Sequence, residues 1–157
     1  MSEYVLTRNR SRTGDVSRHL AACDGTFRTP LSTRVSIEDY AARLVDRAER
    51  AEAWSGADLI GLAALYCNAE DRQTAFLSNL SVVPAWTKKG IGRRLLIEAL
   101  EHARASGFAR LALSVAPDAH AVGLYRSVGF RDGDRGSDGI ELLLDLRTPP
   151  SERLPQP

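Results

Sequence analysis

The sequence predicts a single α/β domain of the α+β type, in which successive strands are joined by short turns. Three strand patterns follow one another at 51–54, 59–67 and 74–83 with polar turns between them, which indicates an antiparallel meander. Amphipathic helical patterns precede and follow this meander. We expect 1–147 to form the domain, and we expect 148–157, which holds four of the seven prolines, to be an unstructured tail.

The composition argues against several classes of protein. With a net charge of +1, the chain gives no sign of the basic face that nucleic-acid binding requires. Its two cysteines, Cys23 and Cys67, are too few and too far apart to indicate a disulfide framework or a metal site. No apolar run approaches the roughly 20 residues of a membrane span, and the polar N-terminus does not resemble a signal peptide. We therefore expect a cytoplasmic protein without a metal, a membrane or a nucleic-acid partner.

The N-terminal part predicts a strand at 3–7 and a helix at 15–23, followed by a second helix. Ser36 begins that second helix, because Ser36 with Asp39 three positions later resembles a capping box. The loop at 25–35 combines an aromatic residue, two arginines and a proline, which suits either a specificity loop or a plain connector. The positions of the second helix with amphipathic spacing are Ile37, Tyr40, Ala41, Leu44, Val45 and Ala48.

The C-terminal part predicts helices that end at glycines, alternating with strands. Gly107 lies where a C-terminal cap is expected, and Gly129 followed by Phe130 is typical of a Schellman ending. Asp118 is the expected N-cap of the helix that Gly129 ends. The expected elements are a helix at 90–106, a strand at 111–115, a helix from 118 to 128, a polar turn at 133–139 and a final strand at 140–146.

The most informative stretch is 78–96, with the sequence SNLSVVPAWTKKGIGRRLL. Its apolar first half predicts a buried strand closed by Pro84, and its second half has helical spacing. Between them, Gly90 and Gly92 allow the backbone to approach a ligand, and the free N–H groups of a helix start favour an anion such as phosphate. The only lysines of the chain, at 88–89, lie in this loop. A solvated basic turn is the alternative for the loop taken alone.

A dinucleotide-binding glycine loop does not fit the same stretch. The pattern G-x-G-x-x-G requires a third glycine, and this chain has Leu95 at that position. The turn after Pro84 is also too long for that motif. We therefore do not assign the loop to a dinucleotide.

Two motifs resemble those of a known family. Residues 82–92, V-V-P-A-W-T-K-K-G-I-G, resemble V-x-P-x-x-[Arg or Gln]-x-x-G-x-[Gly or Ala], the acetyl-CoA pyrophosphate loop of the GNAT superfamily of N-acetyltransferases, with Thr87 at the Arg or Gln position. Residues 118–130, D-A-H-A-V-G-L-Y-R-S-V-G-F, resemble the second motif, N-x-x-A-x-x-L-Y-x-x-x-G-F, with Asp118 in place of Asn. With the flanking strands, the resemblance covers roughly 59–146.

This resemblance implies a mixed, mostly antiparallel sheet with helices on both faces, in which the central strands ending at Val83 and Val115 splay apart. It implies that acetyl-CoA binds in the gap, with its pantetheine arm paired to the strand backbone and its pyrophosphate on the amides of 88–93. The cofactor-binding residues that it implies are Leu80, Val82, Thr87, Lys88, Lys89, Gly90, Ile91, Gly92, Arg93, Asp118, Ala121 and Tyr125.

The family also implies direct attack of a neutral amine on the thioester of acetyl-CoA. Tyr125 resembles the general acid that protonates the departing thiolate. Asn79 stands where many members carry a Glu base, and an amide takes no proton at neutral pH. Asn79 and Ser81 alternate onto one face of the strand and are the other candidate catalytic residues. For the base, His120, the carboxylates at 70–71 acting through water, and an amine that needs no strong base all stay open.

The expected acceptor is a small amine, bound by Phe27, Arg28, Arg34 and Asn79. If the two arginines face the site, they favour an acceptor that carries phosphate or carboxylate, such as an amino sugar or an amino acid. A polycationic acceptor is less compatible with the sequence, because no acidic groove is apparent in it.

Two alternative functions and the oligomeric state remain open at this point. Thr87, Asn79 and Asp118 depart from the family pattern, which favours a catalytically silent acyl-CoA-binding sensor, whereas Tyr125 favours an enzyme. A different acyl group, such as succinyl, is compatible with the sequence. Homodimers are common in the family, and the sequence leaves the oligomeric state open.

Overall fold

The computed structural model describes residues 3–24, 36–115, 121–135 and 139–147. The helices are α1 (Thr13–Cys23), α2 (Ile37–Arg47), α3 (Ile91–Ala105) and α4 (Ala121–Val128), and a short 3₁₀ helix covers Pro84–Trp86. The strands are β1 (Val5–Arg8), β2 (Glu49–Ser55), β3 (Asp58–Tyr66), β4 (Thr74–Val82), β5 (Arg110–Val115), β6 (Arg131–Arg135) and β7 (Ile140–Asp145). Within these described ranges, none of the helices is long and apolar enough to cross a membrane.

The strands form a mixed, mostly antiparallel seven-stranded sheet with the order β1-β2-β3-β4-β5-β7-β6. The pairs β1/β2, β2/β3, β5/β7 and β6/β7 are antiparallel, and β2, β3 and β4 are neighbours in the order that the meander predicts. β4 and β5 pair in parallel, with Thr74 opposite Arg110 and Phe76 opposite Ala112. Both strands continue beyond this register, β4 to Val82 and β5 to Val115.

β3 contacts helices on both of its faces. Leu62 and Ala64 lie in the core that α1 and α2 cover, whereas a Cβ on Gly61 would lie 2.8 Å from Leu95 and 3.1 Å from Ile91 of α3. Because neighbouring residues of a strand point to opposite faces, α1 and α2 cover one face of β3 and the start of α3 covers the other. This arrangement confirms the prediction of helices on both faces, and it explains why position 61 is a glycine.

By packing, the chain divides into two compact units, one at 1–66 and 78–99 and the other at 67–77 and 100–157. In the first unit, the N–H of Asp39 donates to Ser36 Oγ at 3.3 Å, which confirms the predicted start of α2. The buried side chains that pack between α1, α2, β2 and β3 are Val16, Leu20, Tyr40, Ala41, Leu44, Ala48, Trp54, Leu59, Leu62 and Ala64.

The first unit also buries an ion pair between two residues of β2. Arg50 Nε lies 3.3 Å from Glu52 Oε2, and the same guanidinium donates to the hydroxyl and carbonyl oxygens of Ser11. Burial raises the pKa of the Glu52 carboxyl, but hydrogen bonds donated by Ser11, by the backbone N–H groups of Arg10 and Ser11, and by Trp54 lower it further than burial raises it. The net pKa therefore lies below its usual range, and the carboxylate stays ionised.

The second unit contains the two helix endings that the sequence predicts. At the end of α4, Gly129 has a φ of 120°, Phe130 N–H donates to the carbonyl of Tyr125, and Gly129 N–H donates to the carbonyl of Arg126. These two bonds define a Schellman motif, and Gly107 ends α3 in the same way with a φ of 87°. The glycines at both positions are required because L side chains rarely adopt these backbone angles.

β6 is an element that the sequence analysis did not predict. It pairs antiparallel with β7, with Arg131 opposite Leu143 and Asp132 opposite Leu142. The expected polar turn at 133–139 is therefore wrong for 133–135, which belong to β6. The segment RDGDR has no apolar alternation, so nothing local indicates a strand; pairing with β7 determines its conformation.

Candidate functional site

The loop between β4 and α3 has the geometry of an anion-binding turn. Val83 N–H donates to the carbonyl of Ile60 at 2.9 Å and fixes the end of the strand, after which the 3₁₀ helix turns the chain. The first i−4 bond of α3 is donated by Arg94 N–H to the carbonyl of Gly90 at 3.1 Å. The N–H groups that precede Arg94 therefore belong to the first helical turn, where the backbone has no intrahelical acceptor to offer them. Such a turn attracts anions.

Two backbone conformations make this turn possible. Gly90 has a φ of 81°, and a Cβ at this position would have no atom within 4 Å, so glycine is required here by the backbone and not by crowding. Lys88 has a φ of 64°, which is uncommon for a residue that is not glycine. Strained conformations of this kind are concentrated at functional sites. The residues at 87–90 are all exposed, so both lysine side chains extend to the surface.

Thr87, the departure from the family motif, takes part in the turn itself. Its hydroxyl donates to the carbonyl of Pro84 at 3.0 Å. A hydroxyl has one hydrogen to donate, so this bond uses the donor of Thr87 inside the loop.

An aromatic cluster, which no local sequence signal indicated, supports the loop from the N-terminal side. The ring of Tyr4 meets the ring of Trp86 edge-on, with centroids 6.1 Å apart. Arg94 also contacts Tyr4, with Cζ 5.5 Å from the ring centroid and Nη1 donating to the Tyr4 hydroxyl at 2.7 Å. The cluster joins the 3₁₀ helix before the loop to the first turn of α3 after it.

The side chains of β4 alternate as the sequence predicts. Asn79 and Ser81 are buried on one face, whereas Leu80 and Val82 are half-buried on the other. A Cβ on Gly92 would lie 3.8 Å from Val82, so the start of α3 approaches the strand closely on the Val82 side. Asn79 and Ser81 also contact each other, with Ser81 Oγ 2.7 Å from Asn79 Oδ1.

His19 of α1 is a site residue that the sequence analysis missed. Its Nε2 lies 2.8 Å from Ser81 Oγ, and its Nδ1 lies 3.0 Å from the carbonyl oxygen of Leu59. Burial lowers the pKa of the imidazole to about 4, although hydrogen bonding to the backbone of Leu59 and of Ser81 acts in the opposite direction. A lone histidine in a helix pattern gives no sign of this contact, because its partner lies 62 positions away.

Tyr125 lies in α4, in the second unit. It is buried, and its ring meets Phe130 edge-on with centroids 5.6 Å apart. Burial raises the pKa of the phenol to about 12, so the hydroxyl keeps its proton at neutral pH. Ala121, the other described residue of the second motif that was assigned to the cofactor, begins the same helix.

The structure therefore brings part of the predicted site together. The candidates at 79–82 and 87–93 form one continuous segment of the first unit, whereas Ala121 and Tyr125 belong to the second. The remaining predicted site residues, Phe27, Arg28, Arg34 and Asp118, lie outside the described residues, as does the alternative base His120.

Comparisons with known proteins agree with this fold and with the two motifs. The profile described as "Acetyltransferase (GNAT) family" matches residues 19–130. The chain is 30% identical over 95 residues to the uncharacterized N-acetyltransferase YvbK of Bacillus subtilis (strain 168), a match that covers 60% of this chain and 60% of that protein's length.

Two solved structures share the fold. The PaiA N-acetyltransferase of Thermoplasma acidophilum in complex with coenzyme A has a TM-score of 0.71 at 18% identity, over 90% of this chain and 99% of that one. The ribosomal-protein-S18-alanine N-acetyltransferase of Escherichia coli has a TM-score of 0.68 at 23% identity, over 92% of this chain and 94% of that one. Because the family profile spans both motifs and more than half of the chain, this protein belongs to the acetyltransferase (GNAT) family.

Proposed function

We propose that this protein is an acetyl-CoA-dependent N-acetyltransferase that acetylates the primary amine of a small molecule by direct attack. The observation that carries the proposal is the turn at 83–93, where an exposed loop with two lysines leads into the first turn of α3. In this proposal, the pyrophosphate of acetyl-CoA binds the backbone amides of that turn, and the pantetheine arm lies along the backbone of Leu80 and Val82.

The residues of the turn fit a ligand with several phosphates. Gly90 is exposed, and a Cβ at its position would have no atom within 4 Å, so the backbone is accessible there. Lys88 and Lys89 add positive charge beside the start of α3, and phosphate binds well where amides and cations converge. The structure of the Thermoplasma relative contains coenzyme A, which supports the same ligand class here.

The proposed reaction requires an amine nucleophile and a protonated leaving group. The amine nitrogen attacks the thioester carbon, the carbon–sulfur bond breaks, the sulfur takes a proton from a donor, and the attacking nitrogen releases one proton to solvent, from which the donor is reprotonated. We assign that proton to Tyr125, because its raised pKa keeps the phenol protonated at neutral pH. Asn79 is a hydrogen-bonding residue in this scheme, since an amide does not accept a proton.

For the acceptor, we propose a small amine that also carries an anionic group. This part of the proposal depends on Arg28 and Arg34, whose guanidinium groups suit phosphate or carboxylate. A protein N-terminus is the second acceptor class to test, because the name of the Escherichia coli relative specifies an alanine of a ribosomal protein. A cytoplasmic location and a homodimeric assembly remain expectations.

A catalytically silent acyl-CoA-binding module is the second candidate function. Thr87 favours it, because its hydroxyl donates within the loop and a neutral side chain replaces the usual Arg or Gln. Tyr125 favours the enzyme, since a protein that only binds the cofactor has no use for a proton donor at the sulfur.

The first experiment is thermal unfolding with acetyl-CoA, free CoA, NAD and ATP. A ligand present at 100 times its Kd adds about 2.7 kcal/mol to the free energy of unfolding, which raises Tm by several degrees. We expect this shift with the two CoA species alone. Release of free thiol in the presence of amines then separates the enzyme from the silent module, and the absence of a shift with either CoA species contradicts both.

A further inference from the structure

The first unit buries a series of hydrogen-bonded polar side chains, and the reaction scheme above assigns no role to their contacts with one another. The series runs from His19 on α1 to Ser81 and Asn79 on β4, with contacts of 2.8 Å and 2.7 Å. The exposed fractions of the three side chains are 2%, 6% and 9%. Buried polar groups are nearly always hydrogen-bonded, and each hydrogen bond needs one donor and one acceptor, so the direction of these contacts follows from which atoms carry hydrogens.

The donor and acceptor of each contact can be assigned in turn, starting from the backbone carbonyl of Leu59. The carbonyl of Leu59 is an acceptor only, so His19 Nδ1, 3.0 Å away, carries a hydrogen. Burial lowers the pKa of His19 to about 4, so the ring is neutral at pH 7 and Nε2 carries a lone pair. Nε2 is therefore an acceptor, and the hydroxyl of Ser81 donates its single hydrogen to it.

This assignment determines which end of the Asn79 carboxamide faces Ser81. Because Ser81 has already used its hydrogen on His19, its contact with Asn79 must be donated by the amide NH₂ group. Asn79 Oδ1 lies 2.7 Å from Ser81 Oγ, and a half-turn of the carboxamide brings Nδ2 to that position. The carbonyl oxygen of Asn79 then points away from Ser81. Among the described residues, the contact with Ser81 is the one hydrogen bond of the Asn79 side chain.

The thiol of Cys23, which also lies near His19, does not change these hydrogen-bond directions. Cys23 Sγ lies 3.7 Å from His19 Nε2, and burial raises the pKa of the thiol to about 11, so it stays protonated. If Cys23 were the donor to Nε2 and Ser81 donated to Asn79 instead, the lone pairs of Ser81 and His19 would face each other at 2.8 Å. A hydroxyl has two lone pairs, so Ser81 accepts from Asn79 and retains a second acceptor site for the thiol.

We propose that His19 is a positioning residue for the acceptor amine: through Ser81 it holds the Asn79 carboxamide with its carbonyl oxygen outward, and that oxygen accepts an N–H of the amine. The inference rests on the proposed function, because it takes the Asn79 face of β4 as the acceptor side. An amine that donates one N–H to a fixed carbonyl has its lone pair directed elsewhere, which favours one direction of attack. No proton is transferred to His19 in this scheme.

The first test measures the tautomer of His19 directly. In ¹⁵N NMR of the 157-residue chain at pH 7, we expect His19 to be neutral with the hydrogen on Nδ1, and the signal is assigned by its loss in His19→Gln. This measurement requires no acceptor. A neutral ring with the hydrogen on Nε2, or a charged ring at pH 7, overturns the inference whatever the enzyme does.

The second test separates binding of the amine from binding of acetyl-CoA. The probes are glucosamine 6-phosphate, glutamate and a short peptide with an N-terminal alanine, each assayed by thiol release. For the probe that reacts, we expect His19→Leu to raise KM of the amine roughly tenfold, the effect of one lost hydrogen bond, and to leave KM of acetyl-CoA within about twofold. His19→Gln keeps a donor and an acceptor at similar separation, so it should restore most of the loss.

The control variant is His102→Leu on α3, which should behave as the wild type in both assays. A folded His19→Leu protein with the wild-type KM for the amine overturns the inference and leaves the proposed function intact. If none of the three amines reacts while acetyl-CoA still raises Tm, the proposed enzyme is contradicted for these acceptor classes, and the NMR measurement decides the chain of hydrogen bonds by itself.

Discussion

Arg50 and Glu52 form an ion pair in the interior of the first unit, with Nε 3.3 Å from Oε2 and exposed fractions of 5% and 0%. The two residues are two positions apart on β2, so both side chains leave the same face of the strand. The pair also ties the segment before α1 to β2, because Ser11 and Arg10 donate to the carboxylate of Glu52. We infer that it fixes the path of the chain before α1 more than it adds to stability, since desolvation offsets much of the Coulomb attraction.

Removing the Glu52 carboxylate alone should lower the stability of the fold strongly, even though the complete pair adds little to it. Glu52→Ala leaves Arg50 as an unpaired buried charge and removes the acceptor of two backbone N–H groups. We expect the free energy of unfolding to fall by about 3–5 kcal/mol, measured by urea denaturation. Glu98→Ala, which breaks an exposed ion pair with Arg8, is the matched control and should cost less than about 1 kcal/mol. Equal effects of the two substitutions would contradict the role assigned to the buried pair.

Stability should depend on pH through His19. The folded pKa is about 4 and the ordinary value is about 6.5, so the unfolded chain binds the proton first as the pH falls. The contribution of the neutral His19 ring to the free energy of unfolding is therefore complete above pH 6.5, and it is lost as the pH falls from 6.5 to 4. Its full size is about 3 kcal/mol. The measurement is the difference in unfolding free energy between wild type and His19→Gln at several pH values, and a difference that stays constant between pH 4 and 6.5 contradicts the prediction.

Two glycines should respond to alanine in opposite directions. At Gly61 of β3, a Cβ would lie 2.8 Å from Leu95 and 3.1 Å from Ile91, so Gly61→Ala should cost about 1–3 kcal/mol by overpacking. At Gly123 of α4, a Cβ meets no atom within 4 Å, and alanine is the better helix former. Gly123→Ala should therefore add about 0.5–1 kcal/mol. Thermal unfolding of both variants checks the signs, and a stabilising Gly61→Ala would show that α3 is packed less closely on β3.

Tyr125→Phe tests the proposed proton donor. The substitution keeps the ring that contacts Phe130 and removes only the hydroxyl. We expect kcat to fall roughly 10- to 100-fold, the weak end of general acid catalysis, because a thiol near pKa 8.5 leaves moderately well without help. The Tm shift with acetyl-CoA should remain, which separates catalysis from binding. If kcat is unchanged, the Tyr125 hydroxyl is not the proton donor, and the side chain serves only in packing.

The sequence by itself determined the features that depend on neighbouring residues. Ser36 caps α2, Gly107 and Gly129 end their helices, and Gly90 makes the turn before α3, because each depends on backbone angles and hydrogen bonds within a few positions. The family motif around that turn is local for the same reason. These signals predicted the order of the elements, apart from β6, and the part of the candidate site at 79–93.

Only the tertiary structure decided the contacts between distant segments. β6 is a strand because β7 supplies its partners, although RDGDR has no strand pattern. His19 is 62 positions from Ser81, and the fold brings α1 against β4 so that the imidazole reaches the hydroxyl. Burial then changes the chemistry of the residue, since desolvation lowers the pKa of an imidazole that would otherwise titrate near 6.5. A pattern of residue types carries no information on desolvation, which depends on what the folded chain packs around each group.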